Sequence, residues 1–161
     1  MVRLAQPTDL PAIVAIYNEA VVNQQTADTI PITIDQRKDW LAQHPEDHYP
    51  VYVFVRHDAV IGWLSLSAWR PGRQALFGVA EVSYYVQQTH HRQGVGRTLM
   101  QHALVQAPQL GLQHFLAILL ADNEPSIRLL RTFGFEKWGH LPMVARFGDT
   151  YKDQVIYGLS I

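Results

Sequence analysis

Apolar residues along this chain recur at two spacings, and each switch from one to the other marks an element. Ile13, Ile16, Tyr17, Ala20 and Val21 fall three and four apart, the stripe of an amphipathic helix. Thr8 or Asp9 stands ahead as a cap, with Pro11 in the first turn, and Val2 to Gln6 before it reads as a short strand. Asn23 to Ile34 shows no period and predicts a loop. Thr33 or Asp35 then opens a second helix, with Trp40 and Leu41 inward. His44-Pro45 ends it, because the residue before a proline avoids the helical region. Val51 to Val55 and Val60 to Ala68 read as strands, joined by a hairpin at Arg56-His57-Asp58-Ala59.

Trp69 to Gln74 is a turn-rich break, and Glu81 to Val86 is a further strand. Helical spacing returns at Leu99, Met100, Ala103 and Leu104, predicting a helix from about Val95 to Ala107 that Pro108 and Gly111 stop. His114 to Leu120 is nearly all apolar, as a strand covered on both faces would be. Asp122 or Asn123 caps a last helix carrying Ile127, Leu129, Leu130 and Phe133, and Gly134 closes it. Phe135 to Phe147 and Tyr151 to Leu159 are two final strands around Gly148-Asp149. This order predicts an α+β or mixed α/β sandwich.

Composition narrows the function. The 161 residues predict one domain over 1–161, and 48% hydrophobic content is enough for a core. A net charge of −1 with scattered Lys and Arg argues against nucleic acid or a polybasic membrane contact. The absence of cysteine removes disulfides, thiolate catalysis and Cys-based metal sites. His44 and His48 have Pro45 between them, no His-Glu-x-x-His occurs, and no metal is expected. No leader or membrane-length apolar run is read, so a cytoplasmic protein is expected.

Chemistry concentrates at His90-His-Arg-Gln-Gly-Val-Gly-Arg97, where a strand becomes a helix. Glycines there let a backbone approach a ligand, and the helix start offers free N–H groups that suit a phosphate. Neither a dinucleotide fingerprint nor a Walker loop is complete, since Leu99 fills the third glycine position and no Gly-Lys-Ser/Thr follows. Taken alone, Gly94 and Gly96 equally suit a tight turn.

The neighbours of this stretch change its meaning. With Glu81 before it and Asn123-Glu-Pro-Ser126 through Gly134-Phe135 after it, the chain resembles the GCN5-related N-acetyltransferases from about Val2 to Leu159. Within them it is similar to the phosphinothricin and methionine sulfoximine acetyltransferases, through Tyr17-Asn-Glu-Ala20, Trp40, Trp69-Arg70-Pro71, Glu81-Val-Ser-Tyr-Tyr-Val86 and Gly139-His-Leu-Pro142. The resemblance implies a mixed, mostly antiparallel sheet flanked by helices and splayed between the two strands that take acetyl-CoA. It implies that backbone groups of Tyr84, Tyr85 and Val86 pair with the pantetheine arm. The N–H groups of Arg92, Gln93, Gly94, Val95, Gly96 and Arg97 would cradle the pyrophosphate. Asn123 would hydrogen-bond the cofactor, though an N-cap role is as natural for it.

Glu81 is the implied general base for an amine nucleophile. An apolar, aromatic strand would raise its pKa by partial burial. A backbone N–H near Val86 would meet the oxyanion. Trp69, Arg70 and Arg73 would recognise a small amino-acid-like substrate, the arginines by forking onto its carboxylate or phosphinate. Two positions depart from the family pattern: His91 replaces a Gln or Arg, and Leu130 replaces a Tyr or His that could protonate the leaving thiolate. The alternatives are an acetyltransferase for a protein N-terminus, a lysine or a polyamine, and a non-catalytic CoA-binding module. A homodimer through the apolar C-terminal strands is a further expectation from the resemblance.

Overall fold

The computed structural model describes residues 1–161. Seven strands make one sheet in the order β1 (Val2–Leu4), β2 (Val51–Arg56), β3 (Ala59–Ala68), β4 (Val79–Val86), β5 (His114–Leu120), β7 (Thr150–Ser160), β6 (Glu136–Phe147). Every neighbouring pair is antiparallel except β4 with β5. The β2–β3 hairpin turns through His57 and Asp58, both at positive φ, and their flanking residues Arg56 and Ala59 pair.

Helices α3 (Val95–Gln106) and α4 (Glu124–Thr132) cover one face of the sheet. Leu99, Met100, Ala103 and Leu130 there pack against Leu64, Leu66, Val82 and Phe115. Helix α1 (Leu10–Val22) covers the other face, burying Ile13, Ile16, Tyr17 and Val21 against Val53 and Trp63. The Trp63 indole N–H donates to the Ile13 carbonyl at 3.1 Å, so this buried aromatic carries no unmet polar group.

Two expectations about the helices need correction, one about a cap and one about a length. Asp9 does not cap α1 with its side chain; its carboxylate takes both guanidinium N–H groups of Arg3 (2.7 and 2.9 Å) and the Gln6 N–H (2.7 Å). Those bonds tie β1 to the start of α1 and hold the Asp9 carboxyl below its ordinary pKa, chiefly through the Arg3 hydrogen bond. Asp9→Ala should therefore cost roughly 2 kcal/mol by chemical denaturation at pH 7. Because the folded pKa is depressed, this stability is present above the unfolded value of about 3.9 and disappears as pH falls through the folded one.

The second helix is also shorter than its residues suggested. Helix α2 is only Ile34–Arg37, followed by turns and a 3₁₀ turn at Leu41–Gln43. Its start is sound: Thr33 accepts from the Gln36 N–H, and the Gln36 side chain accepts from the Thr33 N–H at 2.7 Å. Asp35-Gln-Arg-Lys-Asp39 offers no apolar stripe to bury, so nothing sustains further turns. Trp40 and Leu41 still pack inward beside Trp63 and Tyr17. The loop before α2 is pinned to α1 by Asn18, which both accepts from the Ile32 N–H and donates to its carbonyl.

Candidate active site

The sheet opens where its one parallel pair diverges. β4 and β5 pair only at Val79–His114, Ala80–Phe115 and Glu81–Leu116. Beyond Glu81 and Leu116 the two strands run on without pairing to each other, to Val86 and Leu120. A cleft of about 430 Å³ lies there, lined by β4 from Val82 to Val86, the turn into α3, β5 from Ala117 to Leu119, and Asn123 and Ser126 of α4.

The hydrogen-bond alternation says which groups face it. Trp69 donates to the Val79 carbonyl and Gln87 to the Ile61 carbonyl, so odd-numbered residues of β4 spend their backbone groups on β3. The N–H and C=O of Tyr84 and Val86 therefore point into the opening. Those of Tyr85 face β3 instead, contrary to the expectation that they meet the ligand. An extended ligand laid along this edge would be received as an added strand.

At the cleft's end the chain turns through Arg92 (φ +60°) and Gly94 (φ +80°) into α3. No backbone N–H from Arg92 to Arg97 has a partner within the chain. Six consecutive free donors at a helix start, curled by left-handed residues, form a concavity for an anion. Gly94 bears no Cβ at a conformation that costs other residues energy. Side chains hold the turn from outside. The Gln88 N–H donates to Glu19 of α1 at 2.7 Å, and the Gln93 side chain turns away to Arg56 and Thr89. His91 donates from Nε2 to the Val86 carbonyl at 2.8 Å, folding the turn back on β4. Asn123 caps α4 by accepting from the Ser126 N–H, while still lining the cleft.

Glu81 lies at the last paired position before the opening, on the α1 face. Half-buried and without hydrogen-bond or ion-pair partner in the chain, its carboxyl is pushed above the usual carboxylate range by burial. Glu81→Gln should for that reason raise Tm at neutral pH. The sign follows from the raised folded pKa: the native state is penalised once pH rises above the unfolded value, so the gain should vanish in acid. A thermal shift series from pH 4 to pH 8 reads this directly.

The face around Glu81 holds Ser67, Asp28 and Arg37, which the sequence did not single out, beside Tyr17, Trp40, His44 and Tyr85. Ser67 is its cross-strand partner on β3. The Ser67 hydroxyl meets Nε2 of His44 at 3.1 Å, and Nδ1 of His44 meets the Trp40 carbonyl at 2.8 Å. Burial lowers the His44 pKa, so the ring is neutral with its proton on Nδ1, and Ser67 donates to Nε2. Tyr17 donates to the Asp28 carboxylate, and the Tyr85 ring sits edge-on to Tyr17 at 5.0 Å. Arg37 lies over the rings of Tyr17 and Trp40 at 5.0 and 4.7 Å. Of the expected substrate residues, Trp69 is half-buried beside Val79, on Glu81's face, whereas Arg70 and Arg73 are exposed and unpartnered. Leu130 is fully buried, and the phenol in the cleft belongs instead to Tyr84, whose hydroxyl donates to the Ser126 carbonyl at 3.4 Å.

Comparison with known proteins bears on this arrangement. The Acetyltransferase (GNAT) family matches residues 11–135. The chain belongs to that family. It is an acetyl-CoA-dependent N-acetyltransferase, related to the phosphinothricin and methionine sulfoximine acetyltransferases. The L-methionine sulfoximine/L-methionine sulfone acetyltransferase of Pseudomonas aeruginosa is 35% identical over 164 residues, covering 99% of this chain and 94% of that one. The phosphinothricin N-acetyltransferase of Streptomyces coelicolor is 30% identical, covering 97% and 93%. A phosphinothricin acetyltransferase of Sinorhizobium meliloti, solved with acetyl-CoA, superposes with a TM-score of 0.93 at 26% identity, covering 100% and 88%. The splayed, mostly antiparallel sheet is thus the GNAT fold, as the sequence resemblance implied. No helix of this acetyltransferase is long and apolar enough to cross a membrane.

Proposed function

We propose that this acetyltransferase acylates the α-amine of a small amino acid or analogue, of the phosphinothricin or methionine sulfoximine type, with Glu81 as general base. The observation that carries the reading is a half-buried carboxylate with no partner, raised in pKa, at the point where the sheet opens. A free amino acid reaches the site mostly as its ammonium form and must lose a proton before it attacks. A raised carboxylate pKa makes Glu81 a better acceptor for that proton, directly or through water.

The chain's own groups suit acetyl-CoA as the donor. Tyr84 offers both its backbone groups and Val86 its N–H to the amide-bearing arm, the Val86 carbonyl being taken by His91, and the Arg92–Arg97 N–H groups suit its pyrophosphate. Acetyl-CoA supplies the acetyl group as a thioester. The ammonium would first give one proton to Glu81; the neutral amine would then form its C–N bond at the thioester carbonyl, and as the C–S bond breaks the second proton, from the attacking nitrogen, would end on the departing thiolate. Five residues of strand separate Glu81 from Val86, about 16 Å. The Tyr84 N–H, which faces the same opening and lies about 10 Å from Glu81 by the same count, is the nearer donor for the oxyanion, so that the proton reaches Glu81 through water. With a thiol pKa near 8.5 the leaving group needs little help from an acid, which makes Leu130 tolerable.

Thiol release with amino acids, but not with polyamines or peptide N-termini, supports this reading; the reverse pattern would move the substrate class elsewhere.

A further inference from the structure

Arg37 has no carboxylate to serve. Half-buried, it makes no ion pair, and its guanidinium donates no hydrogen bond within the chain. Two aromatic rings hold it instead, those of Tyr17 and Trp40. Such stacking fixes the plane of a guanidinium and leaves its in-plane N–H fork free for an incoming anion. The rings are themselves fixed: Tyr17 by its bond to Asp28, Trp40 by the edge contact with Trp63 at 5.5 Å. Holding an unpaired cation there is costly, and nothing in the fold uses its N–H groups.

Its position relative to Glu81 suggests the use. Arg37 lies over Tyr17, whose ring meets Tyr85 at 5.0 Å, and Glu81 shares the face of Tyr85 on β4; the other carboxylate near Tyr85, Asp28, is already engaged by the Tyr17 hydroxyl. Arg37 also lies close enough to His44 to disfavour its charged form, and His44 is bonded to Ser67, which stands opposite Glu81. A cation and an unpaired carboxylate therefore share one aromatic face of the sheet. An α-amino acid carries the complementary charges one carbon apart.

We propose that Arg37 is the α-carboxylate receptor of this enzyme, seating the substrate so that its amine meets Glu81 and the lone pairs of Ser67. This rests on the amino-acid reading above and sharpens it. The exposed Arg70 and Arg73 are then not needed for the α-carboxylate. Substrates with an amine and no adjacent carboxylate are poor because the guanidinium stays unpaired, and the same cation repels a polyamine.

The test compares an L-amino acid that the wild-type enzyme acetylates with the α-carboxamide of the same amino acid. Steady-state kcat/KM is measured for both substrates in wild type, Arg37→Met and Arg37→Lys. Wild type should prefer the acid over the amide by at least tenfold. Arg37→Met should raise KM for the acid at least tenfold, leave the amide nearly unchanged and abolish the preference. Arg37→Lys should restore part of it. A preference unchanged in Arg37→Met overturns the assignment, and so does an equal loss with both substrates, which is what damage to the Tyr17–Trp40 packing would give. Failure of wild type to acetylate any amino acid would overturn the amino-acid reading itself, an outcome distinct from failure at Arg37 alone.

Discussion

Glu81→Gln is expected to lower kcat for amino-acid acetylation by roughly 10²- to 10³-fold while acetyl-CoA binds as before. Glutamine keeps the volume and polarity of the position but cannot take a proton. Nothing else on this face replaces it: His44 already has both nitrogens engaged, and the Asp28 carboxylate is held by Tyr17. Cofactor affinity should be spared because the Glu81 backbone groups pair with β3, away from the opening. The pH profile gives a second reading. Glu81 must be ionised to act, and burial raises its pKa, so wild-type kcat/KM should fall as pH drops through a value above the ordinary carboxylate range. That acid limb should be missing in Glu81→Gln. An equal limb in both enzymes would remove Glu81 from the proton transfer.

The next largest effect is expected on the cofactor side. Gly94→Ala should weaken acetyl-CoA binding roughly 10- to 30-fold, with little loss of fold stability. Gly94 sits at φ +80° with open space where a Cβ would lie, so the penalty is backbone strain alone. The turn relieves that strain by rotating out of the left-handed region, which turns the Val95 and Gly96 N–H groups away from the anion they would share. Calorimetric titration with acetyl-CoA checks this, alongside a melting curve. Unchanged affinity would mean that the phosphates are gripped by side chains such as Arg92 and Arg97.

Much of this was legible in the residues themselves. The periods around Ile13, Leu99 and Ile127 located three helices, and Gly94-Val-Gly96 between a strand and a helix marked the anion turn. Glu81 stood out as an acid in an apolar strand. What stayed hidden depended on tertiary neighbours. Arg37 is one basic residue in a polar run, and only the packing of Tyr17 and Trp40 around it makes it distinctive. Ser67 gained its place from the β3–β4 register, which no local pattern encodes. The same register turned the Tyr85 backbone groups toward β3, taking Tyr85 out of the expected trio of Tyr84, Tyr85 and Val86. Asp9 looked like a cap because acids before a helix usually are, yet Arg3 competes for it more strongly.

Thiol release from acetyl-CoA, with mass detection of the product, across L-methionine sulfoximine, phosphinothricin, proteinogenic amino acids, a polyamine and a peptide most directly tests whether this enzyme acetylates amino-acid α-amines. The expected result is stoichiometric thiol and N-acetyl product with one or more amino acids, and neither with the polyamine or the peptide. Turnover confined to the polyamine or the peptide, or no turnover with any amine, would contradict it.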